Sequence, residues 1–491
     1  VPNTTIDAGR LRADLLAACY TVDAVLDRIG EAGQDGLGRN MTVPADVALG
    51  GARDPLAALI RLFLLQRRVP RADLAGVIDV ESLTAAGYLS PEGENLAADV
   101  DIRPYGSPDD GASGWVVSDL TPGLDLNMTP TRPDYVLGVS PASTTLAQIT
   151  ARTPVASALD LGTGCGVQSL HLGRHATHVV GTDVNARALD LAALTAALNV
   201  ADVDLRAGSL YEPVTGERFD LIVSNPPFVM SPPSAEAETL TYREANFEGD
   251  RLVETLVRGA ADHLNPGGSL QLLTNWAILD GPWEERLRDW VPEGCDAWFI
   301  ERERLDVYSY IEMWLTDAGL AGTPRWRSAY DEWLAYFDRL GIRSVGMGWV
   351  QITRAERAEP HLRFESWPHA VAQPVGDVFA RNAEAVTASL LPVGELLAAR
   401  PMLVDVEQEM IGRPGAEDPE HVVFRQRVGL LRAVKADTAL AAVLGALDGD
   451  LTLGQVVAAV AAVLEVDPAE LAAGVLPEVR KALLDQLLRI V

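Results

Sequence analysis

The sequence predicts an α/β protein built around a seven-stranded, mainly parallel sheet, flanked by a helical N-terminal part and an α+β to helical C-terminal region. Three observations carry this reading. Short β-rich runs alternate with helical ones between about 130 and 320, one strand opens into a helix through a glycine-rich turn, and another ends abruptly at "NPPF".

The length of 491 residues, with 48% hydrophobic and 22% charged, suggests two to four domains rather than one core. No run of about twenty uncharged apolar residues occurs, and "VPNTTIDAGRLRADLL" lacks a basic start and an apolar centre, so a soluble, cytoplasmic chain is expected. Cys19, Cys165 and Cys295 are scattered and form no CxxC pair, so neither a disulfide framework nor a metal site is expected. The formal charge of −29 argues against binding nucleic acid through a broad basic surface. A local strip of Arg61, Arg67, Arg68 and Arg71 still offers itself to a polyanion, with a solvated helix end as the plainer reading.

Residues 1–125 read as a helical, winged-helix-like domain. "DPLAALIRLFLLQ", "RADLAGVI" and "VESLTAAGYL" have helical spacing, and "LAADVDIRPYGSPDDGASGWVVSDL" places two extended runs around a turn cluster. Such a layout can read DNA, but it equally serves docking or homodimer formation, and the acidic chain favours docking. Over 126–320 the strands are "ASALDLG", "HVVGTD", "VDLRAG", "FDLIVSN", "GSLQLLTN", "AWFIER" and "YIEMWLTD", the last two forming an antiparallel pair. Residues 321–395 form a small extension in which "RSVGMGWVQITRA" and "PHLRFESWPHAV" pair, and 396–491 is an Ala- and Leu-rich helical domain.

In "ALDLGTGCGVQSLHLG" the strand turns into a helix through Gly162, Gly164 and Gly166, where a ligand can lie against main-chain atoms. The spacing, Asp160-x-Gly162-x-Gly164-x-Gly166, is not the dinucleotide fingerprint, and no Lys-Ser/Thr phosphate loop accompanies it. About twenty residues on, Asp183 ends the next strand, where a carboxylate can accept from both hydroxyls of a ribose; the plain alternative is a helix cap. Ser209 and Leu210, after the third strand, are placed to grip an adenine edge. Two acidic strand ends beside a glycine turn suit a ligand with a ribose and a cationic group.

With these residues the chain resembles the class I S-adenosylmethionine-dependent methyltransferases, in the branch with N-P-P-[FY] after the fourth strand. That branch holds HemK-type glutamine methyltransferases of release factors, N6-adenine methyltransferases, and "small-domain" rRNA guanine-N2 methyltransferases. The resemblance covers about 135–320 and implies a Rossmann-like fold and S-adenosyl-L-methionine as cofactor. Asp160, Gly162, Thr163, Gly164, Gly166, Asp183, Val184, Ser209, Leu210 and Asn225 are the implied cofactor-binding residues, and Asn225, Pro226, Pro227 and Phe228 the implied catalytic ones. Where relatives often carry a second acidic residue in the adenine-side loop, this chain has Ser209, with Glu212 further on.

The chemistry explains the motif. An amide or exocyclic amine nitrogen is a poor nucleophile because its lone pair is delocalised. The side-chain oxygen of Asn225 and the carbonyl of Pro226 can each accept one of its hydrogens, the prolines hold that carbonyl in place, and Phe228 offers a stacking face. Catalysis is then chiefly positioning for in-line transfer. Tyr135 and Tyr242 are further candidates for the acceptor pocket, each with ordinary packing as the alternative, and 229–250 reads as a lid that becomes helical near Arg251. The acceptor is a protein or peptide side-chain amide, or else a nucleobase amine in RNA or DNA. A small-molecule amine and an inactive cofactor-binding scaffold are the remaining alternatives.

Overall fold

The computed structural model describes residues 6–127, 132–233, 247–414, 419 and 421–491. The chain divides into two units, Val1–Ala147 with Pro154–Trp367, and Gln148–Thr153 with Pro368–Val491.

The first unit holds an eight-stranded sheet. Its strands are β1 (Val155–Leu161), β2 (Ala176–Asp183), β3 (Asp204–Ala207), β4 (Phe219–Ser224), β5 (Leu264–Ile278), β6 (Cys295–Asp306), β7 (Ser344–Arg354) and β8 (Leu362–Ser366). They lie in the order β3-β2-β1-β4-β5-β7-β6-β8. The first five in this order run parallel, as expected where helices cross between strands. β7 is antiparallel to both β5 and β6, and β8 runs parallel to β6 at the edge.

This architecture corrects three expectations. The sheet has eight strands, not seven. The run "YIEMWLTD", expected as a strand beside β6, lies in the helix Val307–Asp317. Asp306 caps that helix, its Oδ1 accepting from the N–H of Tyr308 at 2.8 Å and of Ser309 at 2.9 Å, and the buried Tyr310, Ile311 and Leu315 share one helical face. The runs at 343–355 and 360–371, expected to pair with one another, both enter the main sheet and are separated there by β6. Burial of β7 between two long partners outweighs the tendency of sequence neighbours to pair.

The N-terminal helices do not stand alone. Their core, including Leu15, Ile29, Phe63 and Leu83, continues into Val167, Leu191 and Leu198 on the helices that cover one face of the sheet. The expected hairpin is present as Asp101–Gly106 with Ser113–Ser118, and its second strand is bonded to the helix Ala186–Leu198 and its cap. Trp115 N–H donates to Asn199 Oδ1 at 3.0 Å, and Val117 N–H to Thr195 Oγ1 at 2.9 Å. Gly114 permits this approach, since a Cβ there would lie 1.5 Å from Asn199 Oδ1. A second small sheet joins Val69–Pro70, Asn95–Ala98 and Leu89–Glu92.

The other face of the main sheet packs Leu252, Leu256, Trp276, Trp283 and Phe299 around the helix Arg251–His263. In the second unit, the region expected to be helical also carries the antiparallel strands Val406–Ile411, His421–Gln426 and Ala433–Ala436, and the pair Pro401–Leu403 and Leu488–Ile490. Its core gathers Leu396, Phe424, Val443 and Val479. Among the described residues, no helix is long and apolar enough to cross a membrane.

Candidate active site

Strand order locates the site. From β1 the sheet continues through β2 on one side and β4 on the other, and the loops leaving the carboxyl ends of these strands diverge around a crevice. A cavity of about 550 Å³ opens there. Asp160, Gly162, Thr163 and Gly164 line it from the loop after β1, Asp183 and Val184 from β2, and Ser209 and Leu210 from beyond β3. Asn225, Pro226 and Pro227 enter from β4, and Tyr135 from the segment before β1.

Two of the expected residues lie elsewhere. Gly166 stands at the cap of the helix Val167–Leu172, where a Cβ would lie 3.3 Å from Cα and Cβ of Ala192, so it serves close helix packing. Phe228 is half-buried outside the lining, its ring meeting Trp314 edge to face at 6.4 Å and 71°. Tyr242 and most of the expected lid, 234–246, lie outside the described residues.

The glycine turn is held by β2. Thr182 O accepts from the N–H of Gly162 at 2.9 Å and of Thr163 at 2.8 Å. Gly162 and Gly164 have φ of +77° and +54°, and nothing lies within 4 Å of a Cβ built on either. That open space belongs to the cavity, so a ligand can rest directly on this main chain.

Asp183 Oδ2 accepts from Gly164 N–H, and Oδ1 from Asn185 N–H, each at 2.9 Å. The cap of the helix Ala186–Leu198 is Asn185, which accepts from Arg187 N–H, so capping does not account for Asp183. Burial raises its carboxyl above the ordinary range, offset in part by these hydrogen bonds. Asp160 Oδ2 accepts from Thr163 Oγ1 at 2.6 Å and Ser169 Oγ at 2.7 Å, so Thr163 acts through Asp160. Among the described residues the lining carries these two carboxylates and neither Lys nor Arg, which favours a cationic ligand. Cys165 also lines the cavity, but burial pushes its thiol up to about 12, leaving it neutral.

Burial likewise pushes Asp160 from 3.8 up to about 6, against the bonds from Thr163 and Ser169. The folded chain therefore keeps this proton to about pH 6, and the unfolded chain only to about pH 4. The carboxylate thus withdraws stability as pH rises across that interval, on the order of 3 kcal/mol in all. Asp160→Asn keeps an acceptor for both hydroxyls and is expected to flatten this part of the profile. Urea midpoints of the two proteins from pH 4 to 7 check it, and parallel profiles would assign the proton to another group.

At the clamp, Ser224 Oγ donates to Leu161 O at 2.6 Å, tying the end of β4 to the end of β1. Asn225 Oδ1 is buried and has no hydrogen-bond partner among the described residues. Ser209 N–H donates to Glu212 Oε2 at 3.4 Å, so the acidic group of the adenine-side loop turns back on its own turn.

Sequence reasoning missed Phe247, which lines the cavity while 37% exposed. The segment behind it is pinned by Glu248 to Arg339 at 2.8 Å, Gly249 N–H to Tyr336 Oη at 2.7 Å, and Asp250 to Arg286 at 2.6 Å. The one available signal was its position just ahead of an amphipathic helix. Ser143 and Gln168 were missed as well; Gln168 Nε2 donates to Ser143 O at 2.7 Å along the same wall.

The arginine strip is neutralised. Arg61 pairs with Asp46, Arg67 with Asp125, Arg68 with Glu92 and Arg71 with Glu81, and Arg61 also donates to the carbonyls of Gly50 and Ala52.

Comparison with known proteins shows what this part of the chain is similar to. Residues 138–280 match the family model described as methyltransferase small domain, and residues 17–99 match a domain of unknown function, DUF7059. The stretch similar to that methyltransferase model supplies most of the residues that line the cavity. Among particular relatives, a release factor glutamine methyltransferase of Xylella fastidiosa is 38% identical over 139 residues, 26% of this chain and 46% of that protein. One from Geobacter sulfurreducens is 33% identical over 160 residues, 30% of this chain and 55% of that protein. Ribosomal RNA small subunit methyltransferase C of Erwinia tasmaniensis is 38% identical over 126 residues, 25% of this chain and 32% of that protein. The chain thus spans about half or less of the length of these relatives. A T. thermophilus 16S rRNA N2 methyltransferase, solved in complex with AdoMet and guanosine, aligns at 19% identity over 52% of this chain and 66% of that one. Its TM-score of 0.28 is too low to bear on fold or function.

Proposed function

We propose that this protein is an S-adenosylmethionine-dependent N-methyltransferase acting on a planar nitrogen, with a polypeptide side-chain amide as its acceptor. The observation that carries this reading is the buried Oδ1 of Asn225, unpartnered among the described residues, at the wall of an acidic cavity. A buried acceptor without a donor costs about 1–3 kcal/mol, which a ligand N–H can return.

The cofactor, when bound, supplies an electrophilic methyl group on a sulfonium. Asp183 would accept from the ribose hydroxyls, Gly162 and Gly164 would provide the main-chain floor, and Val184, Ser209 and Leu210 would border the adenine. The negative potential of Asp160 and Asp183 favours the cation. Asn225 Oδ1 and Pro226 O would each accept a hydrogen of the acceptor nitrogen and so orient its lone pair for transfer. Pro227 keeps the loop from rearranging, and the proton released on transfer would leave to water.

Relatives named for release factor glutamine and relatives named for ribosomal RNA both match this domain, which supports a planar nitrogen and leaves two acceptor classes. The pairing of all four arginines in the strip and the charge of −29 favour a polypeptide over a polyanion. On this reading the winged-helix-like N-terminal part docks protein, as substrate or as a second copy of the chain, in the cytoplasm.

Purified protein incubated with methyl-labelled S-adenosylmethionine and the protein, RNA, DNA and small-molecule fractions of a bacterial extract is expected to label protein. Label in RNA or DNA would move the acceptor to a nucleobase, and label among small molecules to a free amine. Cofactor binding without label anywhere would leave a scaffold.

A further inference from the structure

We infer that the helix Val307–Asp317 belongs to the acceptor site, with Tyr310 as a positioning residue of the clamp and Trp314 as the second wall of the acceptor slot. The inference rests on the methyl-transfer reading above and adds to it residues outside the matched domain.

The clamp loop is gripped at two points. Tyr310 is fully buried, and its hydroxyl oxygen accepts from Met230 N–H at 3.1 Å and from Asn275 Nδ2 at 2.9 Å. Met230 lies two residues beyond Phe228, so this bond fixes where the loop goes after the prolines. The second grip is the edge-to-face contact of Phe228 with Trp314. Tyr310 and Trp314 are four residues apart on one helical face, and their own rings meet at 6.1 Å and 66°. On its other side Tyr310 packs against Trp333 and Phe337, which keeps it from yielding.

Two features separate this from ordinary core packing. Asn275 sits on β5 at 0% exposure and directs its amide to Tyr310, while its own Oδ1 has no partner among the described residues. An apolar pair would fill this space with less desolvation, so the polar link fits a requirement for fixed geometry. Phe228, the residue after the cavity-lining Pro227, and Trp314 are both half-buried, and their rings meet edge to face. An acceptor held by Asn225 that extends past Pro227, beyond the cavity lining, onto Phe228 would meet Trp314 as its side wall. Tyr310 thus controls how accurately the nitrogen is aimed, and Trp314 how well the acceptor is held.

Tyr310→Phe, Trp314→Ala and Trp314→Phe would be assayed with methyl-labelled S-adenosylmethionine and increasing amounts of the nuclease-treated protein fraction of a bacterial extract. Cofactor affinity by calorimetry and Tm would be measured for each. Tyr310→Phe is expected to lower kcat about tenfold or more with KM and cofactor affinity nearly unchanged, beside a lower Tm from the two buried donors it leaves on Met230 and Asn275. Trp314→Ala is expected to raise the acceptor KM about tenfold, and Trp314→Phe to restore most of it. The assignment is overturned if Tyr310→Phe and Trp314→Ala turn over like the unaltered enzyme while Asn225→Ala is inactive, or if their losses follow falling cofactor affinity. If the unaltered enzyme labels no protein, the polypeptide reading itself has failed.

Discussion

Asn225→Ala is expected to lower the rate of methyl transfer by about a thousandfold or more while leaving the affinity for S-adenosylmethionine within a few-fold of normal. The side chain lies at the end of β4, and its Oδ1 has no partner among the described residues that would lose a bond. Its removal takes away an acceptor preorganised for the reacting nitrogen, a type of loss that costs about 10²–10³ in rate before misorientation adds its share. Single-turnover transfer with labelled cofactor, beside calorimetry of cofactor binding, measures the two quantities separately. A variant that transfers methyl normally would remove the clamp from the mechanism and leave the scaffold reading in its place.

Asp183→Ala is expected to act in the opposite sense, weakening cofactor binding about a hundredfold while kcat at saturating cofactor stays close to normal. Two effects combine. The carboxylate is the acceptor proposed for the ribose hydroxyls, and each hydrogen bond to a charged group contributes about 1.5–3 kcal/mol. It also holds Gly164 N–H, so the glycine turn loses one of its fastenings. Asp183→Asn retains one acceptor oxygen and should fall between the two. Titration calorimetry with S-adenosylmethionine decides it, and a loss of kcat with unchanged affinity would move Asp183 from the cofactor to the reaction.

The cofactor side of the site was legible because its requirements are local. A turn in which Gly162 and Gly164 take positive φ with open space above them needs glycine, and an acidic strand end one crossover later is a fixed spacing. The motif at Asn225 was legible for the same reason, since Pro226 and Pro227 leave few backbone choices.

What escaped the reading depends on tertiary context. Residues 310–317 alternate poorly and are rich in β-formers, and the cap at Asp306 that makes them helical is a single side chain. β7 joins β5 and β6 across a long helix-containing excursion, a pairing that short-range pattern cannot specify. Phe247 carries no motif and reaches the cavity only because Arg286, Tyr336 and Arg339 hold the segment behind it. The small strands of the second unit, such as Val406–Ile411, expose residues on both faces and lack the alternation that marks a half-buried strand.

The late insertion of β7 sets the order in which this protein becomes functional. The ten pairings from Ser269↔Thr353 to Ile278↔Ser344 cannot form until the chain past residue 350 has been made, and until then β5 presents a long, mostly apolar edge. An emerging polypeptide therefore holds every cofactor-side residue well before it can shield that edge, and it is most prone to self-association in this interval. Non-local closure of this kind slows assembly. Truncation between residues 307 and 343 would leave the glycine turn and Asn225 in the chain while exposing a template for aggregation.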